Sequence, residues 1–244
     1  MPAMLTLANP QVREDLATFL GRAGRIEDSG LRLQEVPGGV ACWVPVLRPA
    51  GLLTDSPLVV GVRGIPARIE STEADDFVGD RVDILVPMRG MLDRLARTPN
   101  SEQEALRLAL PVERPHESWT GVTPPLSGWQ PTAELSSDIL IHVAEDGIAE
   151  VGERAGGGLG QLLAEEIRTN TWTRALPEMA RKKAPSITSP SDHAIAPTPL
   201  PPAGAAFAAH ALGFLKSGET GQLSEAPGWW RIAFPAGQVL IRRR

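Results

Sequence analysis

Apolar residues recur along this chain with two periods. In Asn9–Gly24, NPQVREDLATFLGRAG, the residues Val12, Leu16, Phe19 and Leu20 fall on one face of a 3.6-residue helix. Asn9 can cap that helix, Pro10 suits its first position, Glu14 and Asp15 favour its positive end, and Gly24 can close it. The pattern then changes to short apolar or alternating runs at 31–36, 40–47, 57–64, 67–71 and 81–88, punctuated by turn residues such as Pro37-Gly38-Gly39. These runs predict an antiparallel meander. Helical spacing returns at 89–98, where Met91, Leu92 and Leu95 repeat, and a short helix is predicted over 101–110.

The segment 111–131, PVERPHESWTGVTPPLSGWQP, has five prolines and two tryptophans, Trp119 and Trp129. An exposed indole is costly, so the segment is expected to run across a core with both rings docked; a proline-and-aromatic partner surface is the functional alternative. A helix is predicted over 132–154, its buried stripe made of Leu140, Val143, Ala144, Gly147, Ile148 and Val151. Leu159, Leu162, Leu163 and Ile167 predict a second helix, limited by Pro177. The six prolines of 184–203 exclude helix and central strand there, which makes that stretch a linker or wrapping arm. The chain resumes with a small-residue helix at 204–216, then short strands joined at Pro227-Gly228 and at Pro235-Ala236-Gly237.

Together these elements predict an α+β protein. An N-terminal antiparallel sheet flanked by helices occupies 1–111, a Pro/Trp-rich connector 112–131, and a helical part 132–244, which carries the arm and ends in a β-hairpin.

Composition narrows the function classes. The 244 residues are 42% hydrophobic and 22% charged, ordinary globular values. The formal net charge is −5, and residues 121–244 carry 11 basic against 12 acidic side chains. Nucleic-acid binding is therefore not the expected mode, since it calls for a concentrated basic face. The alternative DNA-binding reading uses the C-terminal hairpin as a wing, with Lys216, Arg231 and Arg242 to Arg244 on phosphates and Arg181, Lys182 and Lys183 on the same face. Cys42 is the only cysteine, which excludes an internal disulfide and predicts a small packed hydrophobe. No run reaches the length of a membrane span, and the N-terminal stretch lacks the pattern of a signal peptide. The expected location is the cytoplasm.

Candidate chemistry is sparse. Gly156, Gly157, Gly158 and Gly160 precede a helix and could form an anion nest with Arg154 nearby. A P-loop, however, needs Lys and Ser or Thr after the last glycine, where Gln161-Leu162 stands, and a dinucleotide fingerprint needs a preceding strand where a helix is predicted. A helix end and hinge explain the same glycines. Asp138, His142 and Asp146 share a helix face but lack the Glu-x-x-His pair of carboxylate metal bundles. His193, beside Ser191 and Asp192, gains nothing from adjacency, because triads assemble in space. The acids Glu70, Glu73, Asp75, Asp76 and Asp80 read as a solvated loop. No catalytic residue, cofactor or metal ligand is predicted.

The blocks LANPQVREDLATFLGRA, DILVPMRGMLDRLART, GVTPPLSGW, GAAFAAHALGFL and GWWRIAFPAGQVLIRR resemble conserved hypothetical proteins of high-GC actinobacteria over nearly the full chain. That resemblance implies a bacterial cytosolic origin and no particular activity. The expectation is a cytoplasmic protein that acts by binding a protein partner or a second copy of itself, with Trp119, Trp129 and Trp230 as candidate surface residues. An enzyme with a site at the junction of the two halves, built on the glycine turn and His142, is the alternative.

Overall fold

Asn9 caps the first helix as its position predicts: its Oδ1 accepts a hydrogen bond from the Val12 N–H at 3.0 Å, and Pro10 takes the first helical position. The computed structural model describes residues 3–49, 56–155, 160–182 and 199–243. The chain divides into two compact units. The first comprises Met1–Arg48, Val60–Thr123 and Ala211–Gly213; the second comprises Pro49–Val59, Pro124–His210 and Phe214–Arg244.

The elements of the first unit are β1 (Met4–Leu7), α1 (Pro10–Ile26), β2 (Gly30–Val36), β3 (Gly39–Leu47), β4 (Val59–Ile65), β5 (Ala67–Glu70), β6 (Phe77–Val78), β7 (Arg81–Pro87), α2 (Met88–Leu95), α3 (Glu102–Leu106) and β8 (Arg107–Ala109). Five strands run β6-β7-β2-β3-β4, and a small sheet runs β5-β1-β8. The apolar stripe of α1, with Leu16, Phe19 and Leu20 fully buried, joins Met88 and Met91 of α2 and Leu31, Leu33, Val44, Ile84 and Val86 of the sheet in one core. Arg13 ties the end of α2 down: its guanidinium donates to the carbonyls of Arg94, Leu95, Arg97 and Ala105 at 3.1–3.3 Å. Cys42 is fully buried in β3, and burial pushes its thiol up to about 12, so it packs as an inert apolar group.

Three predicted boundaries are corrected. The helix expected over 101–110 stops at Leu106, where β8 pairs with β1 in the register Leu5↔Leu108. The helix expected over 132–154 begins only at Ser137, because Gln130–Ser136 is strand β9. In both stretches good helix formers yield to a ladder whose partner lies far along the chain. Gly24 does not end α1, which runs on to Ile26.

The second unit holds β9, α4 (Ser137–Ala155), α5 (Gln161–Thr173), α6 (Gly204–Ala211), β10 (Thr220–Ala226), β11 (Trp229–Phe234) and β12 (Gly237–Arg242), its strands in the order β12-β11-β10-β9. Gly228, at φ 75°, turns the β10–β11 hairpin after Pro227, as a type II turn requires. Trp172 of α5 stacks on Phe207 of α6 with centroids 4.6 Å apart. Gly147 of α4 lies flat against that indole, and a Cβ there would stand 2.4 Å from its Cζ3. The stripe predicted for α4 and α5 is buried at Leu140, Ala144 and Ile167 but exposed at Ile148, Leu162 and Leu163. A periodic stripe records which side faces a neighbour and leaves open how far that neighbour extends. Most of the expected arm lies outside the described residues. The α+β class holds, with antiparallel sheets, packed helices and a C-terminal strand hairpin.

Candidate interaction surface

The side chains singled out from the sequence fall into different environments. Trp119 is only 5% exposed, and its Nε1–H meets no protein acceptor. It fills core and presents no surface to a partner, which corrects its reading as an interaction residue. Gly156, Gly157 and Gly158 lie outside the described residues; Gly160 caps α5 in extended conformation with helix α4 upstream. His193, Lys183 and Arg244 also lie outside them.

Asp138 is spoken for, accepting from the Ser217 hydroxyl at 2.7 Å and the Gly218 N–H at 3.2 Å, which holds its carboxyl below its ordinary value. His142 is exposed and sits 3.9 Å from Glu145. Among the described residues no group of three or more His, Cys, Asp or Glu side chains could hold a metal ion, and no helix is long and apolar enough to cross a membrane.

One acid of the 70–80 run departs from its reading as solvated. Asp76 is 2% exposed and receives both arms of Arg114, at 2.7 and 3.0 Å, with the Ser71 hydroxyl as a further donor. The Arg114 fork holds its carboxyl below the ordinary range. The pair lines a groove of about 630 Å³ that also takes in Asp83, His116 and Ser118. Asp83 is itself gripped at 2.7 and 2.6 Å by Arg32 and at 3.0 Å by Gln34. Both Asp76 and Asp83 are thus engaged in structural forks with arginines of the chain itself.

The remaining two tryptophans organise the C-terminal sheet. Alternation along β11 sends Trp230 and Arg231 to opposite faces. Trp230 stands opposite Glu225 of β10 and Ile241 of β12, on the face that carries the buried Leu223, Ile232 and Val239. Arg243 lies over its ring, 4.8 Å from the centroid, and closes a 2.7 Å ion pair with Glu225. That layer is complete in charge.

On the other face, Arg231 stands opposite Ser224 and Leu240, and its guanidinium lies 4.5 Å over the ring of Trp129, the residue that leads into β9. The Trp129 Nε1–H donates to the Pro125 carbonyl at 3.0 Å, which pins the 125–129 loop and orients the indole. Gly128 makes the turn at φ 81°, and Leu126 projects from the same loop, 82% exposed. Arg231 Nε is sealed from solvent without an acceptor, and burial draws its guanidinium below the ordinary value. It still carries its charge at neutral pH.

The cations of this unit show how unusual that is. Arg154 and Arg174 share Glu150, whose carboxyl they hold down to about 2; Arg168 pairs with Glu165, Arg181 with Glu178, Lys216 with Glu219 and Arg243 with Glu225. Among the described arginines of the unit, only Arg231 and the exposed Arg242 form no ion pair, and strand alternation puts both on the face opposite Trp230. From the sequence, Trp129 and Trp230 are surface candidates, whereas Arg231 and Arg243 enter only as phosphate contacts of the DNA-binding alternative. The adjacency of Trp230 and Arg231 in a strand signals opposite faces; nothing local announces that Trp129 completes the stack.

Two family models match the chain: a domain of unknown function, DUF8010, over residues 1–116, and a second, DUF8185, over residues 124–244. No curated protein matches. Solved structures similar to the chain include the DNA polymerase sliding clamp of Caulobacter crescentus, at 14% identity and a TM-score of 0.48. The DNA polymerase III beta chain of Streptococcus pneumoniae is another, at 10% identity and a TM-score of 0.49. Each alignment takes in 99% of this chain, and the chain spans about 65% of the clamp and 64% of the beta chain. Similarity at that level transfers no residue role.

Proposed function

We propose that this protein acts by binding, with the Arg231 face of the β9–β12 sheet engaging a protein partner through Trp129 and Arg231. One observation carries the reading: a guanidinium held in place over an indole, partly withdrawn from water, has no carboxylate to meet it among the described residues. Tryptophan and arginine dominate binding hot spots because each offers a large, pre-oriented contact surface at small entropic cost. The pinned 125–129 loop supplies that orientation before any partner arrives, and exposed Leu126 adds apolar area beside it.

The test is photo-cross-linking in source cells with a photoreactive residue at Leu126 and, as a control, at Val112 of the first unit, also exposed. A discrete adduct from position 126, absent from position 112 and lost with Trp129→Ala, is the expected result. Equal adducts from both positions, or an adduct indifferent to Trp129→Ala, would sink the reading. The adduct's mass separates a second copy of the chain from a different protein.

A further inference from the structure

We infer that Arg231 is a carboxylate receptor: the surface built by Trp129, Leu126 and Arg231 takes an acidic, partly apolar peptide segment of a partner protein. This rests on the binding reading above and gives it a chemistry.

The atoms available on Arg231 define the ligand. Its Nε is sealed and unpartnered, so the terminal edge with its two Nη groups is the part that can reach a ligand. Two parallel N–H donors on a planar cation match the two oxygens of a carboxylate. A neutral amide offers that edge one acceptor and no charge. Trp129 beneath the guanidinium fixes its plane, so little side-chain freedom remains to be lost on binding. Arg242 extends positive charge along the same face. Leu126 and the Trp129 ring call for an apolar residue next to the acid.

Energetics point the same way. A charge drawn partly out of water without a counter-ion is unfavourable. In the same unit the other described arginines, Arg242 apart, sit beside a Glu. A partner's carboxylate would give Arg231 what Glu225 gives Arg243.

A polynucleotide fits less well. Tracking a phosphate backbone needs a row of free cations, and here Arg181, Lys216 and Arg243 of the same unit are bound to acids of the chain itself.

The experiment is isothermal titration of the full chain with a peptide that alternates glutamate and leucine, with its glutamine counterpart, and with a thymidine oligonucleotide. The wild type is expected to bind the acidic peptide at least tenfold more tightly than the glutamine one, and Arg231→Gln to erase that ratio. Arg231→Lys, which keeps the charge and loses the fork, should retain part of it. Near-ultraviolet circular dichroism and thermal unfolding establish that each variant is folded. Equal affinity for the two peptides, absence of binding to either, or an unchanged ratio in Arg231→Gln would overturn the inference. An oligonucleotide that binds in an Arg231-dependent way and displaces the acidic peptide would overturn it in favour of a phosphodiester. Equal peptide binding that still depends on Trp129 would remove the carboxylate and leave the protein-binding reading standing.

Discussion

Three arginines among the described residues lie over tryptophans, and two of them, Arg32 and Arg231, are in opposite states. Arg32 of β2 sits 5.7 Å from the ring centroid of Trp43, its cross-strand neighbour on β3, and is gripped at 2.7 and 2.6 Å by Asp83 of β7. Both members of that ion pair are buried, and Gln34 occupies Asp83 further at 3.0 Å. Arg231 sits closer to its indole, at 4.5 Å, and meets no acid among the described residues. The same two residue types therefore make a structural rivet in one unit and an open receptor in the other. What separates them is a carboxylate within reach along the ladder: β7 sets Asp83 opposite Gln34, diagonal to Arg32 and in contact with it, whereas the residues directly opposite Arg231 on β10 and β12 are Ser224 and Leu240. A planar cation on an aromatic ring is thus a neutral motif, and its neighbours decide whether it serves the fold or a ligand.

The largest effect should come from breaking the closed pair. Asp83→Ala leaves the buried Arg32 guanidinium without its counter-charge, and loss of one partner of a buried pair costs about 3–5 kcal/mol. Urea unfolding should show that loss as a lowered midpoint. Replacing both members, Arg32→Met with Asp83→Leu, removes the stranded charge and should recover most of the stability. A single and a double variant that unfold alike would mean the pair was never the source of the cost. Arg231→Met is the counterpart in the open pair. It abandons no buried partner, so stability should change by less than about 1 kcal/mol, while the acidic-peptide preference disappears.

The contrast between the units also explains what could be read from the sequence. Helix α1 was legible because every signal for it is local: the Asn9 cap, Pro10 and four apolar positions within three turns. Strands β8 and β9 were not, since Leu-rich and Ala-Glu-Leu stretches favour helix and only pairing with β1 and β10 makes them extended. The site divides in the same way. Trp129 and Trp230 stood out by residue type and Trp119 equally so, yet burial separated them. Arg231 beside Trp129 and Asp76 beneath Arg114 are encounters between distant segments, and no spacing along the chain encodes them.

Closing the open pair from within should give an intermediate effect. Ser224→Asp sets a carboxylate directly across the β10–β11 ladder from Arg231, at the position where opposite charges pair well. If Arg231 is a receptor, this internal acid competes with the peptide. Affinity for the glutamate peptide should fall at least tenfold, with the glutamine peptide unaffected and the thermal midpoint within a few degrees of the wild type. Ser224→Asn, of the same size and uncharged, should leave the glutamate peptide bound. Equal losses in both variants would show that the substitution acts by disturbing the buried Ser224 site and not by its charge.

The smallest effect, and the finest separation of closed from open arginines, lies in the acid limb of the stability curve. Asp76 has its folded-state pKa lowered, first by the hydrogen bonds from Arg114. A group depressed in this sense contributes stability at pH values above its unfolded pKa of about 4 and loses that contribution as pH falls through the folded value. The wild type should therefore lose stability with a slope below about pH 4 that Arg114→Gln makes shallower, because the variant's Asp76 titrates nearer its unfolded value. Arg231→Gln, with no carboxylate among the described residues to hold down, should leave that limb superimposable on the wild type. Urea midpoints at half-unit steps from pH 5 to pH 2.5 decide it. A shallower limb in Arg231→Gln would mean that Arg231 already has an acid of its own chain, and the distinction between rivet and receptor would be lost.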